Sequence, residues 1–573
     1  MSDRWAMALA VCAAAGAFLA RGVPLWLGIV AVALALSLRR PALLCLGVVV
    51  LASALGARSW EGLRPPPPSR VSGVATLVTD PVDVEGGALR VEVRLGGRRV
   101  EAWARAADAG RLRPRLAGQR VELAGRLSAA PKRSRAYLAS RHIAARLTVQ
   151  EVGAWSEGGP LARVANGVRR TLLRGASSLP DDQRALFAGL VLGDDREQDV
   201  GTVDDFRATG LSHLLAVSGQ NVAFVLALSA PLLRLLGLRG RFLAALAVLV
   251  LFGALTRWEP SVLRAEAMAS VSLLAALMGR PASTIRVLAL AVTGLLLVDP
   301  LLVRSVGFLL SCGACTGIAL LAGPLSRHLP LPVAVTLAAQ VGVAPLLAPV
   351  FGGVPLASVP ANLLAAPAAG PVMMWGLAAG LPAGLLGEPW ATILHVPTRL
   401  LVAWVAAVAR LGATLPLGQL RTPHLVVLAV TAALALGLPR LRVPALAVGA
   451  VACASVTVLA RVGPGGAQSV ADGAVLWRRG AAAVLVVDRP RARALLSGLR
   501  RVGVRNLDVV AVRSPARSAG PAMAPVLERH PARMMLTPAT ATPGSSVTVG
   551  GLRVDVVSAR PRLDVRVSPV EGE

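Results

Sequence analysis

Hydrophobic and polar positions follow three different rhythms along this chain, and the changes of rhythm divide it. Three apolar runs open it, over 5–20, 23–38 and 41–57. Each is near the lower length limit for a helix that crosses a bilayer, so flanking residues must contribute. The first run, behind Arg4, has the outline of a signal peptide. Two more apolar runs follow at once with no polar mature segment, which favours a membrane anchor of about three spans over 1–60. After the stiff linker RPPPPS at 64–69 the period drops to two. Leu89, Val91, Val93 and Leu95 alternate with Arg90, Glu92 and Arg94, and Ile143, Ala145, Leu147 and Val149 repeat the alternation. With 74–78, 100–103 and 121–127, this predicts about five short strands broken at Gly86-Gly87, Gly96-Gly97 and Pro114, and a small OB-like barrel over 69–152.

From 161 the rhythm becomes helical. Leu161, Val164, Val168 and Leu172 form a stripe opposite Arg163, Arg169, Arg170 and Arg174, in the segment 161–205. Such a basic amphipathic helix suits a membrane surface, and packing against its own domain is the equal alternative. The region 206–460 is nearly all span-forming, with segments near 209–236, 241–257, 262–279, 285–298, 304–323, 331–351, 354–369, 370–386, 390–416, 423–438 and 443–460. Prolines at 345, 349, 355, 360 and 367 make half-helices an expectation for several of them. The last part, 462–573, is polar again. It reads as a small soluble α/β layer, with strands at 482–487, 507–512 and 552–557 and a basic helix at 491–501. The fold class is thus a mainly α-helical multi-pass membrane protein with a small β-barrel insert and an α/β C-terminal part.

Composition sharpens this. Of 573 residues 55% are hydrophobic, too many for an ordinary soluble protein, and only 3% are aromatic, so small and aliphatic residues must pack the helices. The net charge of +29 resembles a nucleic-acid signature, but arginine supplies nearly all of it, Lys132 being the only lysine. The arginine bias runs through every region and therefore says less about partners than its size suggests. Arg39-Arg40 outweighs Arg21 by one charge, which puts the N-terminus in the cytoplasm and the β domain outside. The five cysteines all lie in apolar runs and offer no disulfide framework.

The stretch with the most chemistry is 208–226, ATGLSHLLAVSGQNVAFVL. His213, Ser218, Gly219, Gln220 and Asn221 sit in an otherwise membrane-like run, where unpaired polar groups cost several kcal/mol each, so they should face a protein interior or a water path. On one continuous helix His213 and Gln220 would share a face, while Ser-Gly invites a kink or an unwound turn. His213 and Ser218 would stand about 140° apart with no carboxylate to orient the imidazole, which argues against a nucleophilic pair. Elsewhere in the membrane region Arg264 could pair with Glu266, Asp299 or Glu259, either as a functional charge or as an ion pair fixing helix register. Gln340 and Asn362 are lone polar residues, suited to helix–helix bonding or to lining a pore. Cys312 and Cys315 have CxxC spacing among small residues, which favours close helix packing over redox or metal use. In the β domain 69–152, 16 basic residues face 8 acidic ones. Arg94, Arg98, Arg99 and Arg105 with Trp103 and Tyr137 can form a groove for single-stranded nucleic acid, or simply a solvated barrel face. No zinc-spaced cluster and no phosphate-cradling Gly-x4-Gly-Lys loop occurs, so no cofactor, metal or ATP site is expected.

At GLSHLLAVSGQNVA, 210–223, the sequence resembles the ComEC family of competence proteins. Supporting stretches are LVLGDD (190–195) with Phe206, EPSVLRAEAM (259–268), VDPLLVRSVGFLLSCGA (298–314) and AAQVGVAPLLAPVFGGVPLASVPANLLAAP (338–367), which together cover roughly 170–440. The resemblance implies a channel in the cytoplasmic membrane that imports single-stranded DNA, with His213, Ser218, Gln220 and Asn221 shaping its path. It also implies an outward-facing OB-like domain, an extracytoplasmic DNA receptor and a cytoplasmic ATP-driven translocase as partners; a homodimer is left open. Family members commonly end in a metallo-β-lactamase-like domain. Here QSVADGAVL (468–476) and NLDVVAVRSPARSAG (506–520) resemble parts of it, yet Ser514, Ala516, Ser518 and Ala519 stand where that pattern has His, Asp, Asp and His. Without those ligands no di-metal hydrolase, and no catalytic residue, is expected. The alternatives are a secondary transporter of a small anion or metabolite and a membrane-anchored hydrolase.

Overall fold

The computed structural model describes residues 2–570 apart from 85–86, 132–133, 281, 416, 439–441, 463–465 and 515. Contacts divide the chain into two units, Met1–Glu197 with His213–Val343 and Ala366–Trp404, and Gln198–Ser212 with Ala344–Ala365 and Val405–Glu573.

The anchor consists of α1 (Asp3–Leu19), α2 (Leu25–Ser37) and α3 (Pro41–Gly62). Small residues set their spacing: a Cβ on Gly16 would lie 2.3 Å from the Val49 backbone oxygen, so α1 and α3 meet backbone to backbone. The 13 residues of α2 rise only about 20 Å, short of the roughly 30 Å of a hydrocarbon core.

The β domain follows, with β1 (Ser69–Leu77), β2 (Val82–Val84), β3 (Ala88–Leu95), β4 (Arg98–Arg105), α4 (Ala106–Leu112), β5 (Arg120–Ala129), α5 (Arg135–Ala139) and β6 (Ile143–Ser156). The order across the sheet is β1-β5-β6-β4-β3-β2, and β1 also pairs with β3 through Thr76↔Arg94 and Leu77↔Val93. That extra pairing closes a ring of five strands in which β4 and β6 run parallel. The period-two positions Leu89, Val91, Val93, Val100, Ala102 and Leu147 fill its interior. The short β2, pairing with β3, is an edge addition that the alternation does not announce.

Then come α6 (Pro160–Gly175), α7 (Asp181–Leu192), α8 (Val200–Ala208), α9 (Gly219–Arg234), α10 (Leu238–Leu255), α11 (Pro260–Leu277), α12 (Thr284–Val298), α13 (Val306–Ser326), α14 (Leu331–Phe351), β7 (Val354–Pro355), α15 (Ser358–Leu386), α16 (Trp390–Thr414), β8 (Gln419–Leu420), α17 (Thr422–Gly437) and α18 (Arg442–Val462). Among the described residues eight helices are long and apolar enough to cross a membrane, and this is a membrane protein. Two sequence expectations are corrected here. The pieces 354–369 and 370–386 are one 29-residue helix, α15, with Pro367, Pro371 and Pro382 inside it. Each proline removes a single N–H, a loss that neighbouring helices can make good in a membrane interior. In α6 the buried face is Ala165, Asn166, Arg169 and Leu172, while Leu161 and Val164 are exposed. Arg169 therefore points inward, drawn by the charges described below. The small-residue reading of the CxxC stretch agrees with the structure: a Cβ on Gly317 would lie 2.2 Å from the Ala338 oxygen, and one on Gly342 equally close to the Gly313 oxygen.

The C-terminal part holds β9 (Gly466–Ala471), β10 (Ala474–Arg479), β11 (Ala482–Val487), α19 (Ala492–Val502), β12 (Leu507–Val512), α20 (Ala516–Arg529), β13 (Ala532–Leu536), β14 (Ser546–Val549), β15 (Leu552–Ser558) and β16 (Asp564–Pro569). Its main sheet runs β13-β12-β11-β10-β9, with β11, β12 and β13 parallel. One face packs on α19 and α20 through Leu485, Val510, Leu495 and Val526, and the other on the sheet β14-β15-β16 through Val484, Val509, Val554 and Val565. Burial on both faces explains why AAVLVV and LDVVAV are nearly continuous apolar runs.

Candidate functional site

The polar stretch 208–226 is not one helix. Ser212–Leu214 forms a 3-10 turn, the chain bends at 215–216, and α9 starts at Gly219 with Ser218, in extended conformation, as its N-cap. The predicted unwinding is present, and it overturns the shared helical face of His213 and Gln220: the break at 215–218 separates them. Ser218 Oγ donates to Asn221 Oδ1 at 3.0 Å, and Asn221 Nδ2 donates to the Leu190 oxygen at 3.3 Å. Asn221, 2% exposed, thus ties α9 to the end of α7 and its LVLGDD motif. Ser261 Oγ donates to the Val217 oxygen at 2.7 Å and fixes the unwound segment from the other side. His213 and Gln220 are exposed, with Gln220 beside Gly370 of α15.

Arg264 is brought to this break. It is 5% exposed, and the Cβ that Gly219 lacks would lie 2.6 Å from Arg264 Nη2. Any side chain at 219 would push the guanidinium away from the start of α9. The expected ion pair with a carboxylate is absent among the described residues. Nε instead donates to Ser311 Oγ at 2.7 Å, and Nη1 reaches Cys315 Sγ at 2.8 Å and Met268 Sδ at 3.1 Å. The three proposed partners are directed elsewhere. Glu266 lies against Gly253 with its Oε1 unpaired among the described residues, Asp299 bonds His142 at 2.9 Å, and Glu259 is the N-cap position of α11. Two residues along a helix turn a side chain by about 200°, so Arg264 and Glu266 could not share a face. Gln340 is half-buried on α14, and Asn362, in the second unit, donates to the Ser358 oxygen of its own helix at 2.7 Å.

Sequence reasoning missed a heavily paired cluster of charges among the described residues. Arg169, 1% exposed, reaches Asp80 at 3.1 Å and Asp194 at 2.7 Å through Nη2. Its Nη1 donates to the Leu192 and Leu255 oxygens, at the last turns of α7 and α10, where helix carbonyls lack partners. Arg257 grips Asp80 with Nε and Nη2 at 3.1 and 2.8 Å, and Arg196 grips Asp194 at 2.7 and 2.6 Å. Burial pushes both aspartates up, but the surrounding arginines outweigh it. Asp80 ends below its ordinary value and Asp194 falls to about 2. The cluster joins the turn after β1 to α6, to the LVLGDD loop and to the α10–α11 connection. Its signal in the sequence was the spacing Ala165, Arg169, Leu172, one helical face on which the arginine counts as buried.

In the β domain, Arg94, Arg98 and Arg105 are exposed, and Arg94 pairs across the hairpin with half-buried Arg99. Trp103 is covered: its Nε1 donates to Glu101 at 2.8 Å and the Arg146 guanidinium stacks 4.6 Å from its ring. Tyr137 accepts from Arg141 at 2.8 Å, while Arg141 also meets Glu92 at 2.6 Å. The exposed aromatic that the sequence reading passed over is Trp155, with Arg115 stacked 3.9 Å from its ring.

Among the described residues no group of three or more His, Cys, Asp or Glu side chains is placed to hold a metal ion. In the C-terminal part, Ser514 Oγ donates to the Asp488 oxygen.

Residues 190–444 match the family described as Competence protein. Over 275 residues the chain is 26% identical to ComE operon protein 3 of Bacillus subtilis (strain 168), a match covering 47% of this chain and 35% of that protein. The matched stretch thus spans about a third of the relative's length. No solved structure matches the chain. The family match encloses the LVLGDD loop, the broken helix and Arg264 in a single stretch, and over residues 190–444 the chain is similar to the competence proteins.

Proposed function

We propose that this protein carries single-stranded DNA across the cytoplasmic membrane during natural competence, with the broken helix at 212–221 on the strand's path. The observation that carries this reading is Arg264. A guanidinium buried among membrane helices without a carboxylate partner among the described residues is costly, unless an anion visits it. The start of α9, with its positive dipole end, adds to the same attraction. Phosphates passing Arg264, Gln220 and the amides near Gly219 would be bound weakly and in succession, which conduction requires. The ring of strands β1-β5-β6-β4-β3, with parallel β4 and β6, supports an OB-type barrel for 69–152, placed outside the membrane, where Arg94, Arg98 and Arg105 would raise the local concentration of DNA. An extracytoplasmic receptor would deliver DNA and a cytoplasmic ATPase would pull it.

The C-terminal part is proposed to lack hydrolase activity, because Ser514, Ala516, Ser518 and Ala519 cannot supply imidazole or carboxylate ligands. A phosphodiesterase assay on the purified intact protein with manganese or zinc should show no turnover above background. The same lone arginine would also suit a transporter of a small anion. Deletion separates the two: loss of DNA internalisation with surface binding retained, and impairment of His213→Ala with Gln220→Ala at normal abundance, support import. Unchanged transformation of a deletion strain in a competent cell would leave the small-anion reading.

A further inference from the structure

The second unit contains a set of buried charges that the import reading does not use. Helix α8 carries two adjacent carboxylates, Asp204 and Asp205, 6% and 7% exposed. Both are met from the C-terminal part. Arg500, near the end of α19, brings Nη1 to 2.6 Å from Asp204 Oδ1 and donates from the same atom to the Asp204 backbone oxygen at 2.9 Å. Arg529, the last residue of α20, meets Asp205. Val200, the first residue of α8, packs on the apolar cluster shared by α19, α20 and the five-stranded sheet. Two backbone contacts fasten the same region to the membrane helices of this unit: Arg421 donates to the Arg501 oxygen at 3.0 Å, and Arg505 to the Thr414 oxygen at 2.7 Å.

Neighbouring carboxylates on one helix repel each other, and burial penalises both. Their position is tolerable only while each has its arginine, and both arginines belong to the C-terminal part. Downstream of α8 the chain is held as tightly. Thr209 is fully buried, with its Cγ2 2.7 Å from where a Cβ of Gly412 would be. Gly210 takes φ +68°, and a Cβ there would sit 2.6 Å from Ser358 Cβ. Two residues later the chain enters the turn that bears His213.

We propose that the C-terminal α/β part is a positioning module for the competence domain: through Arg500–Asp204 and Arg529–Asp205 it holds α8 and so sets the entry to the broken helix. The task left to a part without metal ligands is mechanical. Arg500, Arg529, Asp204 and Asp205 are positioning residues, acting through α8 and not on DNA. The second of the two readouts below rests on the import reading; the first does not.

The test uses the full-length protein in membranes, with Cys12, Cys45, Cys312 and Cys453 replaced by alanine, Cys315 by serine so that Arg264 keeps an acceptor, and a reporter Ser212→Cys introduced. The rate of labelling of that thiol by a water-soluble maleimide and the internalisation of labelled DNA are measured in parallel. Arg500→Glu is expected to change the labelling rate about tenfold and to lower internalisation by a similar factor, as for mutations that disturb a coupled element. The swapped pair, Arg500→Glu with Asp204→Arg, is expected to return both to near the parental level. A packing defect alone would not be rescued by reversing charges. If Arg500→Glu fails to reach the membrane, Arg500→Gln replaces it. Parental labelling in the Arg500 variants at full abundance overturns the proposal, as does a swapped pair no better than the single change. Altered labelling with unaltered, protein-dependent import overturns the functional role of the module. Rescued labelling in a cell that imports DNA without this protein sustains the positioning role and removes the import reading instead.

Discussion

Single residues decide where charge sits in this molecule. Arg169 is the clearest case, because Asp80 and Asp194 share its Nη2. Arg169→Gln leaves two buried carboxylates short of a partner and should cost about 3–5 kcal/mol; thermal unfolding of the detergent-solubilised protein, read with its membrane abundance, measures it. The same cluster gives a pH dependence. Asp194 is lowered to about 2 from 3.8, so it binds fewer protons folded than unfolded. Its contribution to stability is present above the unfolded value and fades as pH falls from about 4 towards 2. The Arg169→Gln protein, having lost part of that stabilisation, should show a shallower acid limb in the same melting series. At the broken helix Gly219→Ala should displace the Arg264 guanidinium and lower DNA internalisation while leaving abundance near normal. Unchanged internalisation would show that the closeness of Arg264 to Gly219 has no functional weight. None of these pairings was legible beforehand. An arginine on a helix reads as exposed until one knows which face is buried, and the partners of Arg169 lie 89 and 25 residues away.

At the scale of elements the sequence was more informative, because periodicity is a local property. The β domain declared itself through Leu89, Val91, Val93 and Leu95, all on β3, and the unwound turn through Ser218-Gly219 inside an apolar run. Prolines misled: Pro345 and Pro349 stand inside the continuous α14 and Pro367 inside the continuous α15, where packing against other helices outweighs local preference. The order of strands could not be read, since pairings such as β1 with β5 join residues some fifty positions apart. One element-scale prediction concerns the join of β5 and β6. A Cβ on Gly125 would lie 2.2 Å from the Thr148 oxygen at an irregular point of the ladder. Gly125→Ala should destabilise the β domain by roughly 1–3 kcal/mol, seen as faster proteolysis within 69–156 in the intact protein. Another concerns His530 at the end of α20, whose imidazole burial pushes below its ordinary value, with hydrogen bonding to the Arg505 oxygen working the other way. Being depressed in the folded state, it contributes stability above the unfolded value near 6.5 that is lost as pH falls. Amide protection over 507–536, taken relative to the intrinsic exchange rate at each pH, should therefore fall between pH 7.5 and 5.5, and His530→Gln should flatten that change.

Over the whole molecule, two features define the account: membrane helices with an unwound, polar turn beside Arg264, and an α/β part whose arginines meet α8. The family of residues 190–444 could be recognised from sequence because GLSHLLAVSGQNVA and its companion stretches are contiguous strings. What holds those strings in place is scattered over the chain and comes together only in the folded structure. The central claim is that the transported strand passes the start of α9. It is tested most directly by putting a photoreactive amino acid at Gln220, exposed at that point, and irradiating competent cells during uptake of end-labelled DNA. The account predicts a covalent adduct between this protein and single-stranded DNA, formed only while uptake proceeds and lost with Arg264→Gln. Efficient internalisation with no adduct at 220, when the same probe placed at Arg98 of the β domain does form one, would contradict it.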